Sequence, residues 1–183
     1  MRFCSQCAAP IVRKIPTGDQ LPRNTCPSCG QIYYENPKIV VGAIVEANSA
    51  ILLCKRAISP RKGWWTLPAG FMENGESTAQ GAARETLEEA GVQPTIDDLI
   101  CLVDIPEIHQ VHLFFRGRAP DQSVAPGPES LAAGYFEESE IPWENIAFQS
   151  VGIALRHYLT DRHSHTYRMH TVSIAPDHSP SDW

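Results

Sequence analysis

No stretch of this 183-residue chain is apolar for long enough to cross a membrane: its longest aliphatic run, Ile39 to Val45, falls far short of the roughly 20 residues a spanning helix needs. The opening residues, Met1 to Cys7, lack the apolar centre of a secretory signal, so a soluble, cytoplasmic protein is expected. Positive charge is in short supply as well. Fifteen Lys and Arg stand against 21 Asp and Glu, a net charge of −6, which argues against nonspecific binding along nucleic acid and for a small-molecule partner. Internal repeats, heptads and long low-complexity segments are missing too. What is present, 43% apolar and 20% charged residues, is the composition of a globular protein long enough for one substantial domain and a small appendage.

The appendage is residues 1 to 34, which hold four of the six cysteines, little periodic hydrophobic pattern and a local charge of +3, leaving −9 for the remainder. Such a segment cannot build a core unaided. Its cysteines fall in two C-x-x-C pairs, Cys4 with Cys7 and Cys26 with Cys29, separated by eighteen residues. That distribution is wrong for a disulfide-stapled secreted scaffold and right for four soft ligands around one tetrahedral zinc ion. A redox dithiol is the alternative, but two such pairs favour a metal. Zinc binding would substitute for the missing core. Using all four positions leaves none open for catalysis, so a structural zinc ribbon is expected, with Tyr33 and Tyr34 packing at the domain junction. Cys54 and Cys101 lie in apolar segments and read as buried small hydrophobes.

The composition shifts at Glu35-Asn36-Pro37. A second domain over residues 35–160 and a C-terminal strand and tail over 161–183 follow from the pattern. Ile39 to Glu46 and Ile51 to Lys55 read as strands joined by a tight turn at Asn48-Ser49, and residues 99–105 and 111–117 as a second pair joined around Pro106 to Gln110. Between the pairs, Thr78 to Ala90 reads as a helix with Ser77 as N-cap, Gln80 completing a capping box and Gly91 as the stop. A second helix is expected over Ser150 to Thr160 and a last strand over Tyr167 to Ile174, with a frayed end from Pro176.

The first helix carries the chemistry. At about 100° per residue, Glu85, Glu88 and Glu89 share one face, with Ala79, Ala83, Leu87 and Ala90 on the other side. A solvated helix normally intersperses lysines to relieve such repulsion; here Arg84 alone is available. The carboxylates and the backbone carbonyls of the turn at Leu67 to Gly70 suit a hard divalent cation of the Mg²⁺ type. On geometry alone a solvated acidic face remains the alternative.

Gly70, Glu76, Arg84, Glu85, Glu88, Glu89, Gly91 and Val92 match eight of the nine specified positions of G-x₅-E-x₇-R-E-U-x-E-E-x-G-U, the Nudix box, over 23 residues. The chain is thereby identified as a member of the Nudix hydrolases. Thr86 is the one departure, standing where an aliphatic residue belongs. Together with the cysteine pairs, Glu35 to Lys38, the turn before Gly70 and Ala125 to Ser130, the box resembles the zinc-ribbon subgroup that contains the plant chloroplast FAD and ADP-ribose pyrophosphohydrolases.

The resemblance implies an α/β (α+β) fold, the Nudix α/β/α sandwich with a mixed sheet, and cleavage of a nucleoside diphosphate linked to another group, FAD or ADP-ribose foremost, with release of AMP. It implies Mg²⁺ or Mn²⁺ on Glu85, Glu88 and Glu89, with the Ala69 carbonyl completing the coordination and Arg84 orienting the glutamates. Glu76 is either ligand or loop anchor, and Glu129 is the candidate downstream base. Arg56 and Arg61 are placed to meet the diphosphate, and Trp64 and Phe115 to stack on a ring. Homodimers are common in the family. Zinc-ribbon NADH pyrophosphatases combine the same modules but carry Ser-Gln-Pro-Trp-Pro-Phe-Pro after the box, where this chain has Asp104 to Gln110; hydrolysis of NADH or NAD-capped RNA is therefore the second reading. A nucleotide-sensing regulatory module is the third, and the intact box argues against it.

Overall fold

A computed structural model describes residues 1–175. The frayed end expected from Pro176 lies outside them. The chain divides into two compact units, Met1–Asn36 and Pro37–Trp183.

The first unit is a three-stranded antiparallel sheet in the order β1 (Val12–Lys14), β2 (Arg23–Thr25), β3 (Ile32–Tyr33). It buries Cys4, Cys26 and Thr25 and almost no large apolar side chain, in keeping with a segment that cannot hold itself together by hydrophobic burial.

The second unit is built on β4 (Lys38–Ala47), β5 (Ala50–Arg56), β6 (Trp65–Thr66), β7 (Ala69–Phe71), β8 (Thr95–Ile105), β9 (Gln110–Arg118), β10 (Ser130–Phe136) and β11 (His170–Ser173). Its sheet runs β10-β5-β4-β9-β8-β11, with β6 on β5 and β7 on β4. It is mixed, as expected: β4 and β9 pair in parallel over nine residue pairs from Lys38↔Gln110 to Glu46↔Arg118, β11 pairs in parallel with β8, and the remaining pairs are antiparallel.

Two helices, α1 (Thr78–Ala90) and α2 (Gln149–Ser164), cover the sheet. Strand alternation divides the core between them. Val41, Ala43, Val45, Leu52, Cys54 and Phe115 pack with Ala82 and Ala90 of α1. Ile44, Ile51, Leu53, Phe114, Cys101 and Val103 pack with Val151, Leu155 and Tyr158 of α2. The unbroken apolar run of β4 is thus explained: it is covered on both faces.

The predicted capping box on α1 is present, with Gln80 N–H donating to Ser77 Oγ at 3.2 Å and Ser77 N–H to Gln80 Oε1 at 2.8 Å; Gly91 closes the helix in the left-handed region at φ 70°. Its buried stripe differs from the expected one. Gly81, Ala82, Thr86, Glu89 and Ala90 face inward, while Leu87 is 45% exposed. Thr86 tolerates burial because its hydroxyl donates to the Ala82 carbonyl at 2.7 Å.

Three further differences have local causes. β8 begins at Thr95 rather than residue 99, because its polar start is tied to β9 by Asp97, which accepts from Arg118 Nε and Nη2 at 2.9 and 2.8 Å. α2 runs on to Ser164, where His165 takes the left-handed conformation at φ 51°. β10 is an edge strand of small and half-buried residues, a pattern with little periodic signal.

Candidate functional site

In the first unit, two near-identical backbone knuckles present the cysteines. Ala8 N–H donates to the Cys4 carbonyl at 2.9 Å and Cys4 N–H to the Ala9 carbonyl at 2.9 Å; Gly30 N–H donates to the Cys26 carbonyl at 3.0 Å and Cys26 N–H to the Gln31 carbonyl at 2.8 Å. Both turns need a left-handed residue, Ala8 at φ 58° and Gly30 at φ 77°. The four Sγ atoms lie within 4.8 Å of one another and none is in a disulfide, a donor set that suits one tetrahedral zinc ion. Tyr33 is committed here: its hydroxyl lies 3.1 Å from Cys4 Sγ and accepts from Ser5 N–H at 2.9 Å. That contact draws the Cys4 thiol down to about 6. Tyr34 lies under the Arg23 guanidinium, 5.1 Å from it.

In the second unit, the centre of the site is Arg84. Its Nε and Nη2 grip Glu76 Oε2 and Oε1 at 3.0 and 2.9 Å, its Nη1 donates to Glu85 Oε1 at 2.7 Å and Glu88 Oε2 at 3.0 Å, and Nη2 also reaches the Phe71 carbonyl at 3.1 Å. One planar cation therefore sets the positions of three carboxylates. Both Glu76 oxygens are engaged, Oε1 accepting additionally from Glu73 N–H at 2.7 Å, which makes Glu76 the anchor of the loop before α1. Arg84 and that N–H hold the Glu76 carboxyl down to about 2.

The three helix glutamates differ in depth. Glu88 is 58% exposed at its side chain and Glu85 13%. Glu89 is 8% exposed as a residue. Burial pushes the Glu85 carboxyl up. Glu89 is pushed up to about 8 by burial and then by the charge of Glu85, against the opposing pull of the Ala69 backbone N–H and Arg56. Glu89 Oε2 is buried with no hydrogen-bond partner among the described residues. A buried carboxylate oxygen left unpaired is costly, and a divalent cation held with Glu85 and Glu88 would satisfy it. The donor set is all oxygen, which suits a hard ion such as Mg²⁺ or Mn²⁺.

Glu129 joins this cluster through backbone geometry. The loop after β9 docks on the last turn of α1, with Ala125 N–H donating to the Ala90 carbonyl at 2.7 Å and Gly127 N–H to the Glu89 carbonyl at 3.1 Å. These are carbonyls that a helix end leaves without partners. Ala57 N–H then binds the Glu129 carbonyl at 2.8 Å, fixing the loop to the end of β5. The charge of Glu129 is felt by Glu85, Glu89 and Arg56.

A cleft of about 360 Å³ opens on the α2 side of β7. Ala69 and Gly70 form its border with the carboxylates, and Arg56, Gln110, His112 and Phe148 line it. Arg56 is half-buried, its Nε donating to the Pro60 carbonyl at 2.9 Å and its guanidinium 4.9 Å from the Phe148 ring centre; burial pulls its pKa down while Glu89 and Glu129 hold it up.

The remaining expected contacts are placed elsewhere. Phe115 is 6% exposed and belongs to the α1-side core; one step along β9, Phe114 borders the cleft instead. Trp64 and Arg61 sit together in the loop after β5, the guanidinium 4.9 Å from the indole centre, and neither lines the cleft. Phe148, Gln110 and His112 carry no sequence motif, so only the fold brings them to the site.

Residues 36–155 match the NUDIX domain family and residues 2–35 match the family described as Nudix N-terminal. The chain belongs to the Nudix hydrolases. An ADP-ribose pyrophosphatase of Methanocaldococcus jannaschii is 30% identical over 60% of this chain and 67% of its own length. The NAD-capped RNA hydrolase NudC of Chromobacterium violaceum is 32% identical over 77% of this chain and 52% of its own, so the chain spans about half the length of that relative. The crystal structure of a NUDIX hydrolase from Nitrosomonas europaea, 49% identical, superposes with a TM-score of 0.92 over 95% of this chain and 99% of that one. Among the described residues no helix is long and apolar enough to cross a membrane.

Proposed function

We propose that the protein hydrolyses the pyrophosphate bond of an adenosine diphosphate linked to a second group, with ADP-ribose as the first substrate and FAD as a further one, releasing AMP. The observation that carries this reading is the partnerless Glu89 Oε2, buried beside two carboxylates that Arg84 holds in place. Glu85, Glu88 and Glu89, with the Ala69 carbonyl, would hold the divalent ion. Bound there, such an ion would supply positive charge against the diphosphate and make water a better nucleophile.

The chain's own groups do the rest. Arg84 keeps the glutamates from moving apart under their mutual repulsion. Arg56, immobilised by Pro60 and Phe148 at the edge of the cleft, presents a fixed cation to the diphosphate. Glu129, fixed through its backbone to Ala57, is offered as the proton acceptor. The cleft holds the base.

Hydrolysis of NAD-capped RNA is the second reading, supported by the similarity to NudC over 77% of this chain. Incubating the purified protein with Mg²⁺ or Mn²⁺ and equal concentrations of ADP-ribose, FAD, NADH, diadenosine polyphosphates and an NAD-capped RNA separates them. AMP with ribose 5-phosphate as the fastest products is the expected result. Absence of turnover with every compound and both ions would sink the proposal, and preferential decapping would favour the second reading.

A further inference from the structure

The cleft contains a hydrogen-bond chain that crosses from a strand to a helix. His112 of β9 lies with Nδ1 3.0 Å from Ser150 Oγ at the start of α2, and with Nε2 2.9 Å from Gln110 Oε1. All three residues line the cleft. The polarity of the chain follows from the inventory of donors. Gln110 Oε1 only accepts, so His112 Nε2 carries the proton; Nδ1 of the neutral ring then accepts, and the Ser150 hydroxyl donates to it. Burial of the imidazole favours this neutral form, holding it near 4. Ser150 is itself buried and so cannot wander.

The consequence lies at Gln110. Its acceptor oxygen is committed to His112, and its Nε2 makes no hydrogen bond to any described residue. With its oxygen on His112, the carboxamide has its Nε2 donors left for a ligand in the cleft. The same cleft is lined by the Arg56 and Phe148 pair, a cation and an aromatic ring against which a planar ring can stack.

We infer that Gln110 is a specificity-determining residue that reads a hydrogen-bond acceptor nitrogen on the edge of a purine ring, with His112 and Ser150 as the positioning residues that fix its donors toward the ligand. The inference rests on the reading of this cleft as the seat of the substrate's base; adenosine is the half common to the substrates proposed above.

The test measures AMP binding by calorimetry without divalent ion, alongside KM and kcat for ADP-ribose with Mg²⁺. Gln110→Glu keeps the acceptor for His112 and removes the donors; Gln110→Leu removes the donors without adding charge. Both are expected to weaken AMP binding about tenfold, about 1.4 kcal/mol, and to raise KM by a similar factor with little change in kcat. His112→Phe should reproduce that loss, whereas His112→Gln, which retains an N–H donor, should recover most of it. The double variant Gln110→Leu with His112→Phe should bind no more weakly than Gln110→Leu alone, because residues acting through one contact are not additive. Unchanged AMP affinity in both Gln110 variants, or no AMP binding by the wild type, overturns the inference. A wild type that binds AMP through Gln110 yet turns over no dinucleotide overturns the proposed function and leaves the inference standing.

Discussion

The Glu85 carboxylate occupies the space that a side chain on Gly70 would need. β7 and α1 come this close because position 70 has no Cβ, and the closeness brings the helix carboxylates to the border of the cleft. Gly70→Ala should therefore act on Glu85 rather than on the fold. The obstructed group is the mobile end of a side chain, so the stability loss should stay within about 1 kcal/mol, while activity falls more than about tenfold. Thermal unfolding compared with turnover checks this; equal activity in the variant would show that Glu85 need not sit where it does.

Gly127 makes the contrasting case. A Cβ there would overlap the backbone carbonyl of Glu88, which cannot swing aside. Gly127→Ala should cost about 1–3 kcal/mol, and because the same loop delivers Glu129 it should lower kcat as well. Denaturant unfolding and steady-state kinetics on the one variant should show both effects together.

Glu88 and Glu89 separate chemistry from folding in another way. Glu88 is exposed, and among the described residues its side chain is paired with Arg84 alone. Glu88→Gln should leave the unfolding midpoint nearly unchanged and reduce metal-dependent turnover by roughly a hundredfold or more; Glu89→Gln should lose turnover similarly. Near-normal rates in both would move the catalytic face away from α1.

Removing one of the four clustered cysteines should affect only the small unit. Cys26→Ser is expected to release the metal and expose residues 1–36 to proteolysis, because that unit has no apolar core to fall back on. Cleavage chemistry in the second unit should persist. Metal analysis of the purified wild type provides the control, and a zinc-free preparation would end the ribbon assignment.

Acid should loosen β11 before the rest of the sheet. His170 stacks on His157 with ring centres 4.0 Å apart and lies 2.8 Å from Asp161, whose Oδ2 also accepts from Arg168 N–H. Burial, then the neighbouring His170, holds His157 below its ordinary value. Burial alone would raise Asp161, but the Arg168 N–H and His170 bring it below the carboxylate range. For His157 the unfolded chain binds the proton more readily, so its contribution is complete above about pH 6.5 and is lost as pH falls toward the folded value. The Asp161 contribution is lost lower, as pH drops below about 4. Hydrogen exchange at Thr171 and Val172 should accelerate between pH 7 and 5 relative to β9, and His157→Phe should flatten the first step. Equal protection of both strands across that range would contradict it.

The elements that could be read from sequence are those whose signal is local. The cap of α1, the stop at Gly91, the double-faced burial of β4 and the cysteine knuckles each follow from a few neighbouring residues, and so did the Glu85, Glu88 and Glu89 array on one helix. What only the tertiary structure decided is depth and distance. Glu89 is sunk and Leu87 left outside because α1 packs through Gly81, Ala82 and Thr86, a choice made by the sheet beneath it. Phe114 rather than Phe115 borders the cleft because the pleat reverses at each residue and the strand's phase is set by pairing with β4. Gln110, His112, Ser150 and Phe148 meet through a parallel strand pair and a helix start some forty residues apart in the chain; no spacing rule records such a meeting, since it exists only once the sheet has closed.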